Sequence, residues 1–172
     1  MSEHTRTTAP QRPTAITVLA LIAIVMGSYD LFFEAFLLFR PETPFIRSAV
    51  EWYARVADTT YLDPDAATLA FTTINVFWGV PLLILTGIGL LRMRRWGFLL
   101  GIGQFFIINY GNTYDFLVDY WDGFSRVQNV WAVLGVGMVQ FTLYSFALLY
   151  YLLKYEHLFY TPTAPRDVRR TT

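Results

Sequence analysis

Residues 68–91 read TLAFTTINVFWGVPLLILTGIGLL, a run without one charged side chain, and residues 92–95 then read RMRR. A helix needs about 20 mostly apolar residues to cross ~30 Å of hydrocarbon at ~1.5 Å per residue. The run meets that length, is too long for a strand, and shows no period-two alternation. The three arginines after it therefore read as the boundary between two crossings.

Outward from this stretch, 15–39, 97–121 and 130–153 have the same length and character. Pro41 and Pro44 stop the first segment, and Asp122-Gly123 turns the third into the fourth. Pro81 lies inside the second, where a kink is tolerated if neighbours satisfy the freed carbonyl. Composition agrees: the 172 residues are 55% hydrophobic, 18% aromatic and only 15% charged, against roughly 25% charged in a soluble domain. The sequence thus predicts an all-α fold, an integral membrane four-helix bundle at 15–153 between cytoplasmic tails at 1–14 and 154–172.

Basic residues set the orientation. Of the thirteen Lys and Arg, nine fall on one side: Arg6, Arg12, Arg92, Arg94, Arg95, Lys154, Arg166, Arg169 and Arg170. Arg40, Arg47, Arg55 and Arg126 fall on the other. The positive-inside rule puts both termini and the middle loop in the cytoplasm. Trp96, Trp121, Trp131, Tyr150, Tyr151 and Tyr155 sit near the segment ends, the depth that amphipathic rings favour. The first segment has a long apolar run and no small-x-small site, so it reads as a retained helix rather than a cleaved signal. In the outer loop, 42–57 spaces Phe45, Ala49, Trp52, Tyr53 and Val56 as one helical face and Arg47, Glu51 and Arg55 as another. This is a short amphipathic helix, lying on the membrane or capping the bundle.

Each segment carries small or polar residues at three-four spacing: Ala20, Ala23, Gly27, Asp30 and Glu34; Asn75, Gly79, Leu82, Thr86 and Gly89; Gly97, Gly101, Gln104, Ile108, Asn112, Asp115 and Asp119; Gln128, Ala132, Gly135, Val139 and Thr142. Small residues let helices approach and polar ones bond across the interface, so these seams should face inward. The Gly87/Gly89, Gly101/Gly103 and Gly135/Gly137 pairs read as packing notches, lacking the strand–turn–helix setting of a nucleotide fingerprint. Asn109-Tyr110-Gly111 is a candidate local interruption of the third helix.

Ser28-Tyr29-Asp30-Leu31-Phe32-Phe33-Glu34 resembles Thr113-Tyr114-Asp115-Phe116-Leu117-Val118-Asp119, and Asn75-Val76-Phe77-Trp78 resembles Asn129-Val130-Trp131. A duplicated hairpin, giving two tandem halves, would account for both matches. Asp30 and Glu34 share one helix face, as do Asp115 and Asp119. Both pairs fall in the outer third of the membrane, with Asn75, Asn112 and Asn129 at comparable depth. Carboxylates that close need protons, a cation or paired donors to offset their charge. One reading is an outward-facing cation or proton site, since carboxylate and amide oxygens suit hard ions. The other is structural, with the acids bonded to Arg40, Arg126, Tyr, Asn or Gln. Arg92, Arg94 and Arg95 are candidate lipid headgroup contacts or simple topology anchors.

Cysteine is absent, which removes disulfides and thiolate chemistry, and both histidines, His4 and His157, lie outside the apolar segments. No cofactor is called for. Zero net charge favours no nucleic-acid partner. No nucleophile, metalloprotease or phosphate-loop motif occurs.

Arg12-Pro13-Thr14-Ala15-Ile16-Thr17-Val18-Leu19-Ala20 resembles the opening of many small, uncharacterised prokaryotic multi-pass membrane proteins of four helices, and Gly89-Leu90-Leu91-Arg92-Met93-Arg94-Arg95-Trp96 is similar to their middle loop. The resemblance implies a prokaryotic inner (plasma) membrane protein and supplies no activity or site residues. Together these readings favour a non-enzymatic accessory or assembly subunit, whose partners are the lipid bilayer and either its own copies or a larger membrane complex. The alternative is a small oligomeric transporter or channel using the acidic cluster.

Overall fold

A computed structural model describes residues 12–57, 59, 62–64, 66–121, 123–133 and 139–160. Among the described residues the chain is helical and forms no extended strand. The elements are α1 (Thr14–Phe39), α2 (Pro44–Val56), α3 (Ala66–Ile74), a π-helical turn (Asn75–Gly79), α4 (Val80–Leu91), α5 (Arg95–Trp121), α6 (Val130–Ala132), α7 (Gln140–Lys154) and α8 (Glu156–Tyr160). Two helical stretches, Thr14–Phe39 and the continuous Thr68–Leu91, are long and apolar enough to cross a membrane. The expected third segment is one unbroken helix, so Asn109-Tyr110-Gly111 does not interrupt it. The expected fourth begins in α6 and resumes in α7; 134–138, with Gly135 and Gly137, lie outside the described residues. So do Asp58, Asp65, Asp122 and most of both tails, including His4, Arg6, Arg166, Arg169 and Arg170.

Proline explains the π turn. Pro81 has no N–H to donate, and its ring crowds the carbonyl four residues back. Directly upstream the helix widens, and Val80 N–H bonds to Asn75 O, one residue further back than in an α-helix. The rod continues through the proline instead of breaking.

The helices pack in chain order: α1 on α4, α4 on α5 and α5 on α7, with α1 touching α7. Two consecutive hairpins result. Their shared core comprises Ile16, Leu19, Ala20 and Ala23 of α1, Leu83 and Leu90 of α4, Phe98 of α5, Tyr144, Leu148 and Leu152 of α7, and Phe159 of α8. All lie toward the end that holds the α4–α5 turn. Burial in α5 stops at Gln104, so the bundle loosens toward the other end.

Glycines set the close approaches. A Cβ on Gly87 would come within 2.6 Å of the Ala20 carbonyl oxygen, Gly89 faces Gly97 across the α4–α5 turn, and Gly101 receives the Leu152 side chain. Gly103 differs from the expected pair of notches: nothing lies near it. The fourth seam holds only in part: Thr142 turns to α5, where Asn112 donates to it. Gln128 and Val139 are exposed, and α7 instead buries Tyr144, Ser145, Leu148 and Leu152. The notch is on α5, so α7 brings large residues to fill it.

Two further expectations change. The chain does not leave the bundle at 154: α8 turns back, and Phe159 and Tyr160 pack on Phe98 at 5.5 and 5.7 Å between ring centroids. Helix α2 does cap the bundle, but through Ile46, Val50 and Ala54; Phe45 and Trp52 of the expected apolar face are exposed.

The α4–α5 turn is a Schellman motif. Met93 N–H bonds to Leu90 O at 3.0 Å and Arg94 N–H to Gly89 O at 3.1 Å, with Met93 left-handed at φ 48°. The end of α5 repeats the motif. Gly123 bonds to Tyr120 O and Phe124 to Asp119 O, and Gly123, at φ 64°, takes the left-handed position without a Cβ penalty.

Candidate functional site

The loosely packed end holds the acidic residues. Asp30 and Glu34 stand one turn apart on α1, below the face that buries Ala20, Ala23 and Gly27. The π turn presents Asn75 to them: its Nδ2 donates to Glu34 Oε1 at 3.3 Å. Gly79 leaves room for that amide, since a Cβ there would lie 2.8 Å from Asn75 Oδ1. Glu34 Oε2 is buried and has no partner among the described residues. Asp30 and Asp115 both lie within electrostatic range of Glu34, and Asp119 within range of Asp115. The fold therefore sets Asn75 against Glu34, with Asp30 and Asp115 in electrostatic range, while Asp119 is linked only to Asp115, one turn away on α5.

Asn112 and Asn129 have other duties. Asn112 Nδ2 donates to Thr142 Oγ1 on α7 at 3.1 Å. Asn129 is the N-cap of α6, and its Oδ1 accepts from Trp131 N–H and Ala132 N–H at 3.1 and 3.2 Å. Capping accounts for this side chain. Asn129 thus differs from Asn75, and the two hairpins diverge at this matched position.

Asn109, which the sequence pointed to only as a break, is a helix-joining residue. Its Nδ2 donates to Phe105 O at 2.7 Å and to Ser145 Oγ at 2.9 Å. Its sequence signal was the three-residue spacing from Asn112, which puts both amides on one face of α5. Each hairpin thus carries a polar clasp: Glu34–Asn75 in the first, Asn109–Ser145 and Asn112–Thr142 in the second.

Among the described residues, no three Asp, Glu or His side chains converge to hold a metal ion. The acidic group's chemistry is that of carboxylates withdrawn from water, able to take up a proton or receive a donor. Arg92, Arg94 and Arg95 are exposed at the opposite, tightly packed end, away from the acids.

No protein-family model matches the chain, and no curated protein matches it significantly in sequence.

Proposed function

We propose that this chain is an integral membrane protein of four crossings, held as two tandem hairpins, with its basic end in the cytoplasm. Its role is that of a non-enzymatic accessory or assembly subunit. The observation that carries the reading is the inversion of polarity across the bundle. Trp78 is 68% exposed, Phe106 65% and Leu143 65%, whereas Thr86 and Ser145 are fully buried and Gln104 nearly so. A water-soluble bundle turns such residues the other way. In lipid this distribution is favourable, because apolar side chains meet acyl chains while buried polar groups find partners in the protein, Thr86 on its own helix and Ser145 accepting from Asn109 across α5 and α7. The resemblance of residues 12–20 and 89–96 to small prokaryotic multi-pass proteins supports a prokaryotic inner membrane. Alkaline carbonate extraction tests the first part: the full chain should stay with the membrane pellet, and release without detergent would overturn it. For the subunit role, native electrophoresis in mild detergent should show a stoichiometric complex. A lone monomer would count against it.

A second reading is favoured by Glu34. Among the described residues its buried Oε2 has no partner, and Asp30 and Asp115 lie within electrostatic range of it, a setting open to a proton- or cation-coupled carrier. On this reading, Glu34→Gln and Asp115→Asn abolish ion-dependent flux in proteoliposomes while the protein still folds. Undiminished flux would remove it.

A further inference from the structure

The basic residues at the tightly packed end form a more definite arrangement than a scatter of topology signals. Arg92 and Arg94 are the C-cap and second following residue of the Schellman turn, so their stems leave a backbone held by two hydrogen bonds. Met93 between them packs on the core, which fixes the turn from beneath. Arg12, from the start of α1, reaches across to this turn, its Nη1 bonding the Leu91 carbonyl. A guanidinium carries five N–H donors, so that bond leaves four for another acceptor.

Both neighbouring cations stand among aromatic rings. The Arg95 guanidinium lies 5.1 Å from the centre of the Tyr160 ring, and Lys154 Nζ lies 5.6–5.9 Å from the rings of Tyr150, Tyr151 and Tyr155. The described acid at this end is Glu156, which is exposed, against five cations. An ion pair, Arg47–Glu51, is on α2 at the far end. Exposed arginines on a hydrogen-bonded turn, with Arg12 bonded to that turn and the flanking Arg95 and Lys154 beside Tyr rings, suit a phosphodiester at the headgroup level of a membrane.

We propose that the α4–α5 turn, with Arg92, Arg94 and the incoming Arg12, binds the phosphate of an anionic phospholipid headgroup. The proposal rests on the membrane reading above and adds a specific lipid class to it. Arg95 and Lys154 flank the phosphate and add to the local field.

The test is native mass spectrometry of the full chain in neutral detergent, titrated with phosphatidylglycerol, phosphatidylcholine or inorganic phosphate. Phosphatidylglycerol should bind in clear preference to phosphatidylcholine. Each arginine removed should weaken that preference about fivefold, so R92Q/R94Q should lose roughly twenty-five-fold. R47Q/R55Q, which removes two exposed arginines from α2, should leave the preference unchanged. Equal binding of the two lipids, or a preference that survives R92Q/R94Q in a variant with unchanged circular dichroism, overturns the proposal. Inorganic phosphate binding as tightly as phosphatidylglycerol would overturn the lipid assignment in favour of a free-phosphate site. Failure of the membrane reading shows separately, as release of the chain by carbonate.

Discussion

The same substitution at two glycines should move stability in opposite directions. At Gly87 an added methyl would sit 2.6 Å from both the Ala20 carbonyl oxygen and Ile24 Cγ1, and 3.3 Å from Ala23 Cβ. Comfortable contacts between such atoms are about 3.5 Å, so α1 and α4 must part by up to roughly 1 Å. A backbone carbonyl inside a helix cannot turn aside as a side-chain tip would. Overpacking of this kind costs about 1–3 kcal/mol, and the better helix propensity of alanine offsets about 1 kcal/mol of it. Gly87→Ala is therefore expected to destabilise by up to about 2 kcal/mol. At Gly103 a methyl meets nothing within 4 Å, so only the propensity gain remains and Gly103→Ala should stabilise by about 0.5–1 kcal/mol. For a chain of this length, 1 kcal/mol corresponds to about 2–4 °C. Thermal melting followed by circular dichroism in one detergent should therefore show Gly87→Ala falling by several degrees and Gly103→Ala rising slightly. If both variants shift the same way, the α1–α4 contact is not the close backbone approach described here.

Other expected outcomes follow from single contacts. Phe159→Ala should cost about 3 kcal/mol by emptying the space against Phe98, measured as a lowered melting temperature; a negligible change would mean that α8 lies outside the cooperative fold. Gly123→Ala should cost about 1 kcal/mol, because the position is left-handed and a Cβ there meets only backbone strain; the readout is the denaturation midpoint. Asn129→Ala should remove the α6 cap at a cost of about 1 kcal/mol, seen as faster hydrogen exchange at Trp131 and Ala132, with the Glu34–Asn75 region unchanged.

Much of the helix map is legible in residue order. Pro41 and Pro44, the arginine-rich turn and Gly123 bracket the long helices, because proline and turn residues act through their own backbones. Pairing of Asp30 with Glu34, and of Asp115 with Asp119, follows from four-residue spacing alone. Association between the two pairs does not: it needs α1 and α5 to be set facing by α4, which contacts both. Asn75 and Asn129 illustrate the limit, since similar sequence surroundings lead to an interhelical bond in one case and a helix cap in the other. The π turn that aims Asn75 at Glu34 is traceable to Pro81, but its exact extent is set by packing.

By itself the sequence pointed to a helical chain, to the ends of its first three long helices, and to which end is basic. These properties depend on local chemistry: backbone permissiveness, length of apolar run, charge. Only the tertiary structure decided which side of each helix turns inward, why Gly87 is filled by a neighbour and Gly103 is not, and that α2 docks through Ile46 rather than Phe45. The exteriors of these helices are as apolar as their interiors, so hydrophobic periodicity holds little phase information. What separates the faces is contact between residues far apart in the chain.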